Sequence, residues 1–498
     1  MLKKFTASLL IGTAIIALGC GPASASDVDD LKAEIALLRA RLDQLERKQS
    51  AVAASQAKGT AAASQAAASA AKAQAAADDA QAKTQAQAQA LAQAQAKTAA
   101  QPTTITAQAA AQPTATGFLP GPVDDLKKGE PVRILETSGT SVSLYGLLEA
   151  TISTISNSDT KGDRTTGYQV SWFSGNRWGI DGRQTLDADS KLEIIGKLES
   201  EFELPTGSMD TAGVLFNRDA WLGFQSPTYG KLTFGRQNTL PRDFSQIYGD
   251  PYGTANVTLN EGGYTNVNNF KQLIFYSGGG KNGDTRYDNG IVYKKAFDDG
   301  LTLGAAYRLG GVAGGGLTVG SAQAAALAYN AGDFNASVFY NHSDEQSGTT
   351  KTGKSHQSVG IGGNYQLGLF RLDAGYLFYT ADQGVIGTRS DNAFTTSVKF
   401  APAGKFDYEL GYQIMMAHNA GYNSSGYTFN AYQDASGATK AGSGNKQTVY
   451  GSVFYRPVKN TDIYIAGDYM KLDGGYRASQ SNGFMSQVEF ATGVRWKF

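Results

Sequence analysis

The sequence predicts an all-β protein: a 16-stranded antiparallel transmembrane β-barrel, preceded by a short N-terminal coiled-coil helix and a low-complexity spacer. Three observations lead to this prediction. Apolar and polar residues alternate in short runs across residues 141–498, which puts one set of side chains on each face of a strand. The connections between these runs sort into tight turns and longer polar loops. The composition also changes sharply where the runs begin.

Residues 1–25 have the pattern of a secretory signal peptide, with two early lysines, an apolar run from Leu9 to Leu18, and a small-residue cleavage site. We expect cleavage after Ala25. Cys20 offers an alternative, because the Ala-Leu-Gly before it loosely resembles a lipoprotein box, and its lipidation stays open. No later stretch contains eighteen consecutive apolar residues, which argues against a helical membrane protein. The 44 basic and 44 acidic residues balance, so nucleic acid is not an expected partner.

Residues 27–50 show a heptad pattern that predicts a trimerising coiled coil. Its a and d positions are Val28, Leu31, Ile35, Leu38, Leu42 and Leu45. Residues 41–46 also look like the short Arg-to-Glu motif of trimeric coiled coils. The alternative is an amphipathic helix that lies on its own protein.

Residues 51–140 form a spacer and connector between the coil and the barrel. The first part is nearly all Ala, Gln, Ser, Thr and Lys, a composition without core-forming side chains. The prolines of residues 113–140 indicate an extended connection to the first strand. Only Phe5 and Phe118, among 23 Phe, 25 Tyr and 4 Trp, precede residue 140.

The strands of the barrel begin at Ser141–Ile155. Leu144 and Ile152 share one face of this run, and Tyr145 and Glu149 share the other. Charges at the middle of strands, with an apolar face that persists from run to run, fit a barrel that has lipid outside and water inside. The last run ends at Phe498 with the same alternation.

Seventeen runs read as strands, and an even number is needed if both ends lie on the periplasmic side. Treating residues 272–277 (QLIFYS) as part of a loop leaves sixteen. The loop at about 238–285 then becomes the longest, and it lies between strands five and six. Tight turns are predicted at 187–189, 227–230, 298–300, 331–333, 367–369, 402–405 and 457–461.

Six landmarks in order resemble the general porins of Gram-negative bacteria, closest to the neisserial and β-proteobacterial type. They are VSLYGLLE (142–149), NRWGIDG (176–182), KLESEF (197–202), NRDAWLGF (217–224), YGKLTFGRQ (229–237) and the terminal Phe498. The resemblance covers residues 141–498. It implies a homotrimer in the outer membrane, surrounded by lipid and lipopolysaccharide, with one aqueous pore per subunit. It also implies that loop three folds inward as the constriction and that the barrel-assembly machinery recognises Phe498. The N-terminal coil and spacer depart from the common pattern, as does a loop three without the usual Pro-Glu-Phe-Gly tip.

The candidate pore residues follow from strand faces and from this resemblance. The bases are Arg177, Lys197, Arg218 and Arg236, and the loop acids are Asp243, Asp250 and Glu261. Bases facing acids across a constriction would impose a transverse field on solutes. The alternative for each is a solvated loop charge or an ion pair on the wall. Arg236 raises a conflict, because it shares strand parity with Leu232 and Phe234, which are expected to face lipid.

The predicted function is therefore an outer-membrane porin for passive diffusion of small hydrophilic solutes and ions. Two alternatives stay open: a substrate-selective channel, and a barrel-anchored tether whose N-terminal region binds peptidoglycan or a periplasmic partner. No metal site is expected, because His342, His356 and His418 do not form a metal-spaced pair. No enzyme or cofactor is expected either, because no motif carries a Ser–His arrangement and the Gly-rich stretches at 277–283 and 310–320 lack a P-loop ending.

Overall fold

The chain divides into two compact units, Met1–Thr114 and Ala115–Phe498. The computed structural model describes residues 36, 39–40, 43–44, 131–169, 171–249, 254–259, 285–311, 313–314, 316–347, 350–401, 404–423, 426–427, 440–478 and 483–498. The first unit contributes Ala36, Arg39, Ala40, Asp43 and Gln44, which are helical and exposed. The predicted signal peptide, the coil positions Val28, Leu31, Ile35, Leu38, Leu42 and Leu45, and the spacer up to residue 130 lie outside the described residues. Within the described part, none of the helices has the length and apolar character that a membrane crossing requires.

The second unit is built from β-strands and a few short helical turns. The strands are β1 (Val132–Glu136), β2 (Thr140–Ile155), β3 (Thr165–Gln169), β4 (Asn176–Asp187), β5 (Leu192–Phe202), β6 (Asp219–Ser226), β7 (Gly230–Asn238), β8 (Arg286–Ala296), β9 (Leu301–Arg308), β10 (Ala322–Ala331), β11 (Phe334–Ser347), β12 (Thr350–Leu367), β13 (Phe370–Asp382), β14 (Thr388–Phe400), β15 (Phe406–Asn423), β16 (Gly426–Tyr427), β17 (Lys440–Val458), β18 (Thr461–Leu472) and β19 (Ser486–Lys497). The α-helices are α1 (Leu240–Phe244) and α2 (Gly474–Ala478), and 3₁₀ turns span Ser245–Ile247 and Gly384–Ile386.

Sixteen of these strands close into a ring. Each strand from β4 to β15 pairs with the next, β15 pairs with β17, and β17 continues through β18 to β19. The ring closes where β19 and β4 pair with opposite edges of β2. The pairings are antiparallel, and β1, β3 and β16 are additions to the edges of β2 and β15. The predicted 16-stranded antiparallel barrel is confirmed.

The two ends of the barrel differ in their connections. One end has short turns between β4 and β5, β6 and β7, β8 and β9, β10 and β11, β12 and β13, β14 and β15, and β17 and β18, each at a position where the sequence predicts a tight turn. The opposite end has the longer connections, except that β12 begins at Thr350, three residues after β11 ends at Ser347. Among these, β7 ends at Asn238 and β8 begins at Arg286. Residues 272–277, predicted to belong to this loop, lie outside the described residues.

The two faces of the barrel wall differ as the alternation predicts. Leu222, Phe234 and Val494 point outward and are exposed, as expected of a surface that meets lipid. Arg389 and Asp391 point inward and are buried as an ion pair, with Nη2 and Oδ2 2.7 Å apart. A polar interior explains how a membrane barrel can have a mean hydropathy of −0.30.

The barrel closes at the end of the last strand. The Phe498 N–H donates to the Gly146 carbonyl at 3.1 Å, and the Gly146 N–H donates back to the Phe498 carbonyl at 2.8 Å. A Cβ atom on Gly146 would lie 2.4 Å from the Phe498 ring, so a larger residue at this position of β2 would displace that ring. The pairing leaves no strand edge open to lipid at this point.

Candidate pore and constriction

The connection between β7 and β8 begins as a helix inside the barrel. Thr239 caps α1 by accepting from the Arg242 N–H, and Pro241 occupies its first turn, where a missing N–H costs nothing. Phe244 is fully buried. A Cβ on Gly304 of β9 would lie 2.9 Å from the Phe244 ring, so the small residues of the inner wall make room for α1.

The same connection continues across the inner wall towards β13 and β14. The Ser337 hydroxyl of β11 donates to the Phe244 carbonyl at 2.6 Å, and the Tyr248 hydroxyl donates to the Ser337 carbonyl at 3.1 Å. Tyr248 also stacks on Phe339 of β11, with ring centroids 6.4 Å apart. The Gly249 carbonyl accepts from the Thr395 hydroxyl of β14. We call residues 239–259, where described, the inner β7–β8 segment.

Residues 254–259 then return towards β7 near the end with the short turns. The amide of Asn364 on β12 donates to the Ala255 carbonyl at 2.9 Å. Asn330 on β10 donates to the Val257 carbonyl at 2.9 Å, and the ammonium of Lys231 on β7 donates to the Leu259 carbonyl at 3.3 Å. The described parts of the connection are thus held to the inside of the wall at several points.

The loop acids have different positions. Asp243 of α1 is buried, where it accepts from the Asn238 amide at 2.9 Å and pairs with the Lys294 ammonium of β8 at 2.5 Å. This carboxylate is neutralised by the wall on which α1 lies. Asp250 and Glu261 lie outside the described residues.

Three of the predicted bases come together on the inner face of β4, β5 and the start of β6. Arg218 binds two carboxylates, with Nε on Glu199 and Nη1 on Glu201. Lys197 lies 3.2 Å from Asp219 and 3.7 Å from Glu199. Arg177 donates to the Ser174 hydroxyl at 2.7 Å. We call Arg177, Lys197, Glu199, Glu201, Arg218 and Asp219 the charged cluster.

The charged cluster is stabilised by its own neighbours rather than by bulk water. The Tyr145 hydroxyl of β2 donates to Glu199 at 2.7 Å. The carboxylates of Glu199 and Glu201 both bind the Arg218 guanidinium and offset the cost of its burial. Arg218 is a permanent cation, because a guanidinium does not lose its proton in proteins.

Arg236 lies apart from the other three bases. It pairs in register with Ala220, on the outward face that also carries Leu222 and Phe234. Its guanidinium donates to the Asn217 carbonyl at 2.7 Å and pairs with Asp288 at 2.5 Å. The parity conflict noted in the sequence is thus real, because the extra residue of the adjacent bulge belongs to β8 and leaves Arg236 outside.

A cavity of about 490 Å³ lies along the inner face of β2, β4, β5, β6 and β7. Five basic side chains line it, namely Arg177, Arg183, Lys197, Lys231 and Lys497, against the single carboxylate side chain of Asp181. Tyr145 and Trp221 contribute ring surface. The lining therefore has more bases than acids, although Lys197 and Lys497 pair with Asp219 and Asp462 beside it. The described residues contain no group of three or more His, Cys, Asp or Glu that could hold a metal ion.

Sequence reasoning missed one part of the interior, a connection that turns inward between β3 and β4. Trp172 and Phe173 are buried against inward-facing Phe454, Tyr464 and other residues of β17, β18 and β19. The sequence contains part of the information needed to find this connection, because the alternation in Ser141–Ile155 predicts that Glu149 lies on the polar face of its strand. Its partners are distant in sequence, and no local pattern identifies them.

Comparisons with known proteins agree with this architecture. The sequence pattern of Gram-negative porins matches residues 60–475. An outer membrane porin protein of Bordetella pertussis (strain Tohama I) is 26% identical over 366 residues, covering 67% of this chain and 89% of that protein. The anion-selective porin from Comamonas acidovorans has a similar structure, with a TM-score of 0.55 and 18% identity over 72% of this chain and 100% of that one. OmpT of Vibrio cholerae gives a TM-score of 0.50 and 18% identity over 73% of this chain and 100% of its own. The chain belongs to the Gram-negative porin family and is a porin channel of the outer membrane.

Proposed function

We propose that this porin conducts small hydrophilic solutes and ions by passive diffusion and that it favours anions. The observation that carries the ion preference is the basic cavity, where five cationic side chains face one carboxylate side chain. A wall of one sign concentrates counter-ions and repels ions of its own sign. The Comamonas relative is described as anion-selective, which is consistent with the proposal.

The narrowest part of the channel, in this proposal, lies between the inner β7–β8 segment and the charged cluster. Arg177, Lys197 and Arg218 lie on the basic side, where Lys197 and Arg218 are paired with carboxylates and Arg177 donates to the Ser174 hydroxyl, so Arg177 supplies most of the open positive charge. Asp243 is paired with Lys294, so it contributes little open negative charge. Asp250 and Glu261 remain the candidates for the acidic side.

The test is planar-bilayer conductance of the purified full-length protein, with the reversal potential measured in a salt gradient. We expect stable conductance and a reversal potential of the sign that indicates anion preference. Arg183→Gln, which removes a base from the cavity, should shift the potential towards cations. Arg236→Gln is the matched control, because it removes the same charge from the outer face. Absence of conductance would contradict the channel proposal, and an equal shift in both variants would contradict the role of the cavity.

We further propose a homotrimer whose N-terminal residues 28–45 lie in the periplasm as a three-stranded coil. The unbroken heptad spacing of the six apolar positions supports this assembly. Light scattering of the detergent-solubilised protein, with and without residues 27–50, tests it. We expect trimers from the full chain, with weaker association after the deletion, and a monomeric full chain would contradict the proposal. Outer-membrane lipid, lipopolysaccharide and the assembly machinery that recognises Phe498 are the partners expected for the barrel.

A further inference from the structure

The connection between β3 and β4 contains a short segment that lies inside the barrel. We call residues 171–175, with the sequence SWFSG, the inner β3–β4 segment. The Phe173 ring lies 4.9 Å from the Phe454 ring of β17 and 4.7 Å from the Tyr464 ring of β18, measured between centroids. Phe454 and Tyr464 pair in register with each other and both face inward, so a group that packs on both of them lies on the inner wall.

One carboxylate anchors this segment to the barrel. Glu149 Oε1 accepts the backbone N–H of Trp172 at 2.7 Å and that of Phe173 at 2.8 Å. The Tyr464 hydroxyl donates to the same oxygen at 2.9 Å, and Oε2 lies 2.9 Å from Arg495 Nε. Glu149 is 0% exposed, so these bonds operate where water does not compete.

The segment also determines where part of the charged cluster lies. The Ser174 hydroxyl accepts from Arg177 at 2.7 Å. A Cβ on Gly175 would lie 1.4 Å from the Glu201 carboxylate, so Glu201 packs directly over this glycine. A movement of the segment would therefore change the positions of Arg177 and Glu201 together.

The inner β3–β4 segment and the inner β7–β8 segment occupy different parts of the wall. Phe173 packs on β17 and β18, whereas α1 contacts β9, β10 and β11. The rest of the inner β7–β8 segment contacts β12, β14, β7 and β8. Strand β15 therefore separates the two contact regions on one side, and the other side runs through β19, β2 and β4 to β6. The open interior thus has an inserted segment on each of two separate sections.

We propose that the inner β3–β4 segment is a second wall of the constriction, that it limits the size of permeating solutes, and that Glu149 is the residue that positions it. This inference rests on the proposed diffusion function, and it adds a size-determining element that does not belong to the long β7–β8 connection.

The test compares three variants of the full-length protein. Glu149→Ala removes the anchor, and Phe173→Ala removes the ring but keeps the ion pair between Glu149 and Arg495. Glu193→Ala is the matched control, because Glu193 also faces inward, on β5, but lies in register with Gln225 near a short turn. Swelling of protein-loaded liposomes in neutral saccharides of increasing size measures the size limit without interference from charge, and single-channel conductance measures the open area.

We expect Glu149→Ala and Phe173→Ala to admit larger saccharides and to raise conductance by roughly a factor of two, since conductance follows the open cross-section. Glu193→Ala should behave as wild type. The heat-induced shift in gel mobility shows which variants are folded, and the folded Phe173→Ala barrel is decisive if Glu149→Ala does not assemble. An unchanged size limit in folded Phe173→Ala, with a conducting wild type, overturns the inference alone. A wild type that does not conduct overturns the proposed function instead.

Discussion

Replacing Arg218 with methionine is the sharpest test of the charged cluster. The change keeps a side chain of similar length but removes the guanidinium that binds both Glu199 and Glu201. Arg218 is 8% exposed, and its partners are 5% and 19% exposed. Removing one member of a buried ion pair leaves an uncompensated charge, which costs about 3–5 kcal/mol. Lys197 and Arg177 lie close enough to offset part of this cost, so we expect a value at the lower end.

The assay has two readouts. Urea unfolding of the refolded protein, followed by the gel mobility of the folded barrel, measures the loss of stability. The reversal potential in a salt gradient measures selectivity, because the cluster has three bases and three acids and the variant leaves an excess of one acid. We expect Arg218→Met to shift the potential towards cations. Adding Glu201→Gln to Arg218→Met should recover part of the lost stability and reverse part of the shift in reversal potential.

The matched control is Arg236→Met. Its ion pair with Asp288 lies on the outer face at the ends of β7 and β8 that join the long connection, with the two side chains 23% and 47% exposed. Pairs exposed to water contribute about 0–1 kcal/mol. We expect little loss of stability and no change of reversal potential. Equal destabilisation by the two variants, together with an unchanged potential in Arg218→Met, would refute the assignment of Arg218 to a buried cluster that faces the pore.

Three further predictions concern other parts of the barrel. Gly304→Val puts a side chain where Phe244 packs, so we expect a loss of about 1–3 kcal/mol and altered conductance, measured by urea unfolding and in bilayers. Burial, and then the neighbouring carboxylate of Asp210, raises the pKa of Glu203, so the native state loses stability as the pH rises through that pKa. Glu203→Gln should therefore raise the urea midpoint relative to wild type at neutral pH but not at a pH below the ordinary glutamate pKa, and a gain at both would contradict this reasoning. Deleting Phe498 removes two backbone hydrogen bonds at the barrel closure, so we expect less folded protein in the outer membrane, measured by membrane fractionation.

The sequence predicts the ring of the barrel well because each strand carries its own signal. The alternation in Ser141–Ile155 puts Glu149 inward and Ile152 outward, which is where the structure has them. The tight turns are equally local, since a few Gly, Pro, Asp and Asn residues determine them. Strand count and the position of the long connection follow once these two signals are combined.

The details of the interior depend on pairings that no local pattern contains. The bulge in β8 is one example, because it lies where the pairing register between β7 and β8 shifts. Asn289, next to this shift, adopts a positive φ of 53°. The partners of Glu149 are another, since Trp172 and Arg495 meet only when the last strand closes on the first. The short strand β1 is a third example, because the prolines around it predict only an extended connector, whereas it pairs with one edge of β2.

The distribution of inner charges indicates which part of the wall determines selectivity. On the later strands the charges are paired with each other: Lys399 lies 3.3 Å from Glu409, and Arg456 Nε lies 2.9 Å from Asp462. Paired charges present little net field to a passing ion, because each is offset by its neighbour. In the cavity along β2 to β7, Lys197 and Lys497 are likewise paired with carboxylates, but Arg183 lines the cavity without an ion pair among the described residues, so its charge is not offset by a neighbour. Lys399→Met should therefore cost stability but leave the reversal potential almost unchanged. Arg183→Gln in the cavity should instead shift the reversal potential and cost little stability.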